Sequence, residues 1–526
     1  MTAAKRSARS HFLFSAAVGL AIAVGAGLSW PVTSRALSAA VDLCFANQRI
    51  ITQSDLTYVG VIRMPANGVD TSNAASPSMT GRIVNGQVRL FVYGKKDPNT
   101  GEGPVYEIAD PGSGYSTTYS QGPRATLVTN WGNIYHGKRV EYAYPNGPNS
   151  ATGATKNFVN QSGQAGLYWN NTTNLLYWIY YNNYDGQNHP YDASLGASSL
   201  DNASTAATTA YGPWRTRATD ADGSVWYGQW RCQFLAENPI DGSMMCISGQ
   251  AVSGATQISW GPSLYSRSSW PTTGTPGTWS APDLVLTKRM LNYYFMGAQQ
   301  QNFGRPWVDD RSGALHGELR SLRRRNDQAV FEYFNQAQFP NVNFQNLRVN
   351  PAMNGGVGSW SDLDGVTGGT WIETGTKRGV VFSAVLAGGP LGLSDPTNCN
   401  AAHEWYTNAG VGTGTCTHGC SPPVANAGPV TTAAFPALLI YDPADLDAVA
   451  AGSVRDYAVE PTAVINLETA FGIHTAPITE MGTAKNVSGF FFDPTRNYLY
   501  VLAPSADDSR AGPVFREAMI HVFKVG

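Results

Sequence analysis

Gly489-Phe490-Phe491-Phe492-Asp493-Pro494-Thr495-Arg496-Asn497-Tyr498-Leu499-Tyr500-Val501 is the stretch that decides the fold, because the chain contains it twice. Its counterpart is Gly166-Leu167-Tyr168-Trp169-Asn170-Asn171-Thr172-Thr173-Asn174-Leu175-Leu176-Tyr177-Trp178. Each has a glycine, three large apolar or aromatic residues, a turn with Asn/Asp, Thr and Asn at matching offsets, and a returning Leu-Tyr strand. One hairpin repeated with aromatic strands is what a radial β-architecture uses, and it predicts an all-β fold, a single β-propeller. Residues that recur at the same offset serve the repeat, so Asp493, Asn497, Asn170 and Asn174 read as turn formers rather than catalysts.

Composition supports the same class. Of the 526 residues, 42% are hydrophobic and 11% aromatic, enough for a large core and too apolar for a disordered chain. The 56 glycines suit turn-rich β structure. A net charge of -2 leaves no electrostatic footprint for nucleic acid. At the N-terminus, Lys5, Arg6 and Arg9 precede an apolar run from Phe12 to Leu28, and Ser38, Ala39 and Ala40 follow. Residues 1–40 therefore read as a secretory signal peptide, with an uncleaved membrane anchor as the alternative. The expected mature chain, 41–526, contains no further apolar run of spanning length. It belongs in an oxidising compartment: periplasm, cell surface or extracellular medium.

Along the chain, Leu56–Pro65 reads as a first strand. Arg82–Tyr93 reads as a hairpin around Asn85-Gly86, a pair suited to a tight type I′ turn. With Val105–Ile108 these segments are expected to form one four-stranded blade. Further strands are expected at Trp226–Trp230, Met244–Ile247, Ala329–Phe334, Trp371–Phe382 and Met519–Val525, and Ala437–Tyr441 as an outer strand before a short helical turn. Counting strand groups predicts about seven blades, with a β-sandwich carrying appended hairpins as the alternative. Long loops are expected near 253–282 and 388–434.

Leu56-Thr57-Tyr58-Val59-Gly60 with Arg63-Met64-Pro65, Trp371-Ile372 before Lys377-x-Gly379, Tyr441-Asp442-Pro443-Ala444-Asp445-Leu446, and Ile520-His521-Val522-Phe523 resemble a family of secreted, propeller-like bacterial proteins. The resemblance implies fold and secretion. Its motifs are strands and turns, so it carries no catalytic residue.

Six cysteines in a secreted chain favour disulfides. Cys232 and Cys246, either side of a turn, are the expected pair, and the partners of Cys44, Cys399, Cys416 and Cys420 stay open. Cys399, His403, Cys416 and Cys420 also form a permissible zinc set, the minority alternative. Asp310, Glu318 and Glu373 are candidate catalytic carboxylates, since glycoside hydrolysis commonly uses a carboxyl pair. Trp260, Trp270, Trp279, Trp405 and Tyr406 are candidate sugar-stacking aromatics. No nucleotide-binding, esterase or zinc-protease motif is present, so no motif requires a cofactor. The expected function is recognition, with or without processing, of an extracellular carbohydrate. The competing class is a non-enzymatic surface platform for a protein partner.

Overall fold

In the computed structural model the two matching stretches form the same hairpin. Asn174 and Asn497 both take left-handed backbone, at φ 56° and 55°. The Asp493 Oδ1 accepts from the Thr495 backbone N–H at 2.9 Å, and the Asn170 Oδ1 from that of Thr173 at 2.8 Å. Short polar side chains tolerate this conformation and close the turn locally. The leading glycines are fixed by close approach. A Cβ at Gly489 would lie 2.3 Å from the Met79 backbone nitrogen, and one at Gly166 would lie 2.7 Å from the Phe234 Cα.

The structure describes residues 49–72, 74, 78–97, 103–134, 162–182, 193–200, 209–219, 225–227, 232–248, 262–272, 284–291, 365–388, 433–454, 459, 461–473, 475, 487–507 and 516–526. After β1 (Leu56–Arg63), blade 1 comprises β2 (Met79–Val84), β3 (Gln87–Tyr93), β4 (Val105–Ala109) and β5 (Thr126–Gly132). Blade 2 comprises β6 (Ser162–Asn170), β7 (Leu175–Asn182), β8 (Ala193–Ser199), β9 (Ala210–Thr219) and a short β10 (Val225–Tyr227). Blade 3 follows with β11 (Phe234–Glu237), β12 (Met244–Ser248), β13 (Ser263–Arg267) and β15 (Lys288–Leu291), the last preceded by β14 (Leu284–Leu286). Blade 4 has β16 (Gly365–Glu373), β17 (Arg378–Gly388), β18 (Ala433–Tyr441) and β19 (Ala463–Asn466), with helix α1 (Pro443–Ala450) between the last two and α2 (Leu467–Phe471) after them. Blade 5 is β20 (Ser488–Asp493), β21 (Tyr498–Asp507) and β22 (Glu517–Val525), completed by β1 as its outer strand.

Among the described residues the propeller therefore has five blades, not about seven. The inner strands β2, β6, β11, β16 and β20 pack in a closed ring, each on the next. Five hydrophobic cores alternate with the blades. Successive residues of one strand feed different cores: Leu499, Val501 and Ala503 enter the core between blades 4 and 5, while Tyr500 and Leu502 enter that between blades 5 and 1. This is the period of two of a strand buried on both faces, which reads in sequence as one unbroken apolar run.

Four local expectations change for the same non-local reason. The first strand does not join the blade that follows it: β1 pairs antiparallel with β22, from Leu56 opposite Val525 to Arg63 opposite Met519, and closes the ring. The fourth strand of blade 1 is β5 instead. The strand expected at Trp226–Trp230 is the short β10, Val225–Tyr227, which extends blade 2, and the expected strand at 329–334 lies outside the described residues. The Ser-rich stretch 253–282 contains β13, a central strand with Ser263, Leu264, Tyr265 and Ser266 all buried. Tyr441 ends β18, which is flanked by β17 and β19 and so is not an outer strand. The helix after it is α1, with the Asp442 carboxylate accepting from the Ala444 N–H at 2.9 Å as N-cap.

Candidate functional site

The direction of the inner strands divides the propeller into two faces. Gly489 meets Met79, and two residues later Phe491 lies against Gly81, so β20 and β2 run in the same sense. The Leu167 and Trp169 amides donate to the Ser78 and Thr80 hydroxyls at 2.9 and 3.1 Å, which sets β6 parallel to β2. Gly166 N–H donates to the Gln233 carbonyl at 2.7 Å and Asn170 reaches Glu237, which sets β11 parallel to β6. Thr367 at the start of β16 donates to the Val487 carbonyl at 2.5 Å, just before β20. All five inner strands thus begin at one face, the upper, and end at the other, the lower. Where they begin they lie close enough to hydrogen-bond directly to one another.

The lower face is held by polar contacts between successive blades. Lys377 after β16 pairs with Asp55 before β1 at 2.9 Å. Arg496 of the β20–β21 turn reaches Asp110 of blade 1 at 2.9 Å, while its Nε bonds Asp493 at 2.6 Å. Asp110, buried, also accepts from the Tyr500 and Tyr115 hydroxyls at 2.8 Å. Burial first, and then the charge of Asp110, keeps the Tyr500 hydroxyl protonated far above the ordinary tyrosine range. Arg82 pairs with the buried Glu107 at 2.8 Å and lies over the rings of Phe91 and of Trp169 in blade 2, 5.2 and 4.6 Å from their centroids. Buried charges of this kind must be paired to be tolerated, and here the pairing consumes them.

Glu237, the last residue of β11, differs. Its carboxylate is half-buried and is hydrogen-bonded by the Asn170 amide of blade 2. Burial raises its pKa, a nearby Trp270 indole N–H opposes this, and the charge of Asp241 adds to the rise. Trp270 stacks on Tyr168 at 4.8 Å and tilts against Tyr177 at 4.6 Å, and its buried N–H makes no hydrogen bond to a protein acceptor. The Tyr177 hydroxyl donates to the Pro271 carbonyl at 2.9 Å. Burial likewise raises Asp445 and Asp447 of α1, but among these three it is Glu237 whose carboxylate is hydrogen-bonded by a side chain of the neighbouring blade. Glu237 is not among the sequence candidates. The available signal was positional, since it ends its inner strand as Asn170 and Asp493 end theirs.

Of the sequence candidates, Trp270 is only 8% exposed, with both neighbouring tyrosines packed against it, so its ring anchors blade 3 on blade 2. Glu373 is half-buried at the lower-face end of β16, in register with Arg378. Asp310, Glu318, Trp260, Trp279, Trp405, Tyr406, Cys44, Cys399, His403, Cys416 and Cys420 lie outside the described residues, as does the expected signal peptide at 1–40. Of the three candidate carboxylates, Glu373 alone lies among the described residues. Cys232 and Cys246 form a disulfide, both fully buried, which ties the upper-face start of β11 to β12. Among the described residues no group of side chains could hold a metal ion, and no helix is long and apolar enough to cross a membrane.

No protein-family model matches the chain, and no curated protein matches it either. Among solved structures, one similar chain is a GH43 endo-arabinanase from Bacillus licheniformis. The likeness has 10% sequence identity and a TM-score of 0.18, and covers 38% of this chain and 75% of that one. A likeness of this size says nothing of what this chain binds or does.

Proposed function

We propose that the protein is a secreted β-propeller whose upper face recognises an extracellular carbohydrate. The observation that carries the reading is the common direction of the five inner strands. Because strands alternate within each blade, the connections 249–261, 292–364 and 389–432 all join the described strands at the upper face. These connections contain Trp260, Asp310, Glu318, Trp405 and Tyr406. Long connections gathered at one end of a rigid scaffold are where binding residues concentrate, and aromatic side chains offer flat apolar area for sugar rings. The lower face is committed to holding blades together, which supports assigning recognition to the other end. A buried disulfide at the upper start of blade 3 is in keeping with an oxidising compartment.

In this reading, Asp310 and Glu318 are the carboxylates available for processing. Glu373 is set aside, because β16 ends at the opposite face. The test is a polysaccharide and glycan array with the full mature chain, followed by product analysis on every ligand bound. Trp260→Ala and Trp405→Ala are expected to weaken binding at least tenfold while leaving the melting temperature unchanged. Absence of binding and cleavage across all polysaccharides refutes the reading and favours the protein-docking platform.

A further inference from the structure

We propose that the contact between blades 2 and 3 is a proton-responsive clasp, tighter when Glu237 is protonated than when it is ionised. Among the described residues, three features mark this contact. The chain crosses it: β14 pairs in parallel with β9 of blade 2, from Leu284 opposite Thr216 to Leu286 opposite Ala218, and the next strand, β15, returns to blade 3 beside β13. Trp270, on the connection leading to β14, sits against Tyr168 and Tyr177 of blade 2. The polar contact at the lower end is a carboxylate on a neutral amide, Glu237 on Asn170, where the contacts between blades 5 and 1 and between 4 and 5 have cation–anion pairs.

The groups facing Glu237 come from several elements, and on its other side β11 packs against β16, which ends in Glu373. From β6 there are Tyr168 and Asn170, from β7 Tyr177, from the connection after β13 the Trp270 indole, and from its own hairpin Asp241. Burial holds the Tyr168 phenol well above its usual range and pushes Tyr177 up to about 12, so both stay neutral wherever a carboxyl titrates. The ionised Glu237 is thus a part-desolvated anion with one neutral donor bonded to it, the Asn170 amide, and the like charge of Asp241 nearby. Parting the blades returns it to water. Protonation removes both the desolvation cost and the repulsion from Asp241, and Asn170 can still donate to the carbonyl oxygen of the neutral acid. Proton binding and blade contact therefore favour one another. The disulfide between Cys232 and Cys246 holds β11 to β12, which directs the response to the contact between blades.

The experiment is backbone hydrogen exchange on the full chain between about pH 4 and pH 7, corrected for intrinsic rates and read at the Gly166 amide, which bonds across this contact to Gln233. The Leu167 amide, bonded to Ser78 of blade 1, serves as the control. Acidification is expected to lower the opening constant at Gly166 by up to about tenfold per pH unit, the limit for one proton, while the control stays level. In Glu237→Gln the dependence disappears, with protection at neutral pH matching that of the acid wild type. In Asp241→Asn, which keeps the carboxyl and serves if Glu237→Gln does not fold, the response moves to lower pH. A level wild-type profile, or a dependence retained in Glu237→Gln or unmoved in Asp241→Asn, overturns the proposal.

Discussion

Gly489→Ala is the substitution that most directly tests the ring of inner strands, because its cost separates into two parts. The backbone at Gly489 has φ +68°, where an L side chain carries a strain of about 1–2 kcal/mol. In addition, the new Cβ would stand 2.3 Å from the Met79 nitrogen, 2.8 Å from its Cβ and 2.9 Å from the Ser78 carbonyl carbon. These are mostly backbone atoms of the neighbouring blade, so relief requires two inner strands to part. Overpacking of this kind costs about 1–3 kcal/mol. The total expected loss is about 2–5 kcal/mol, measured by urea unfolding followed through tryptophan fluorescence. Gly86→Ala supplies the strain alone, since Gly86 has φ +77° and nothing within 4 Å of its Cβ position; it should cost about 1–2 kcal/mol. Gly166→Ala supplies the overlap without that strain and should lose about 1–3 kcal/mol. If Gly489→Ala loses no more than Gly86→Ala, the inner strands are not in the tight parallel contact described above.

Other outcomes follow from the contacts between and within blades. Asp110→Ala leaves Arg496, Tyr500 and Tyr115 without their shared acceptor and is expected to cost about 2–4 kcal/mol in the same unfolding assay, discounted from a fully buried pair because the Arg496 side chain is 30% exposed. Burial alone would raise the Asp493 carboxyl, but hydrogen bonds from Thr495 and Arg496 bring it below the ordinary aspartate range. Its contribution to stability is thus present above that range and lost as pH falls through the depressed value, so Asp493→Asn should destabilise at neutral pH and lose less at acid pH in parallel melts. Replacing both Cys232 and Cys246 by alanine opens a loop of sequence separation 14 and should cost about 3 kcal/mol. Thiol titration of the unfolded mature chain checks the remaining cysteines: no free thiol before reduction is expected, whereas two or more free thiols with stoichiometric zinc would establish the metal alternative at Cys399, His403, Cys416 and Cys420.

What the sequence determined by itself was local. The Gly489 and Gly166 hairpins, the Asn85-Gly86 turn and the Cys232–Cys246 bridge were all legible, because a turn is specified by residues a few positions apart: an Asn that accepts left-handed backbone, a side chain that closes its own loop, a glycine where no Cβ fits. The all-β class was legible for the same reason. The number of blades was not, because strands buried on both faces lose the alternation that would show which sheet they join, and β1 finds its partner in β22 at the far end of the chain. Tertiary structure likewise decided the meaning of Trp270 and Glu237. A tryptophan in a Ser- and Gly-rich stretch reads as an exposed platform until Tyr168 and Tyr177 are seen to cover it, and a carboxylate in a turn reads as solvated until a neighbouring blade removes its water. Burial and charge pairing are set by groups distant in sequence. Only the folded ring brings them together.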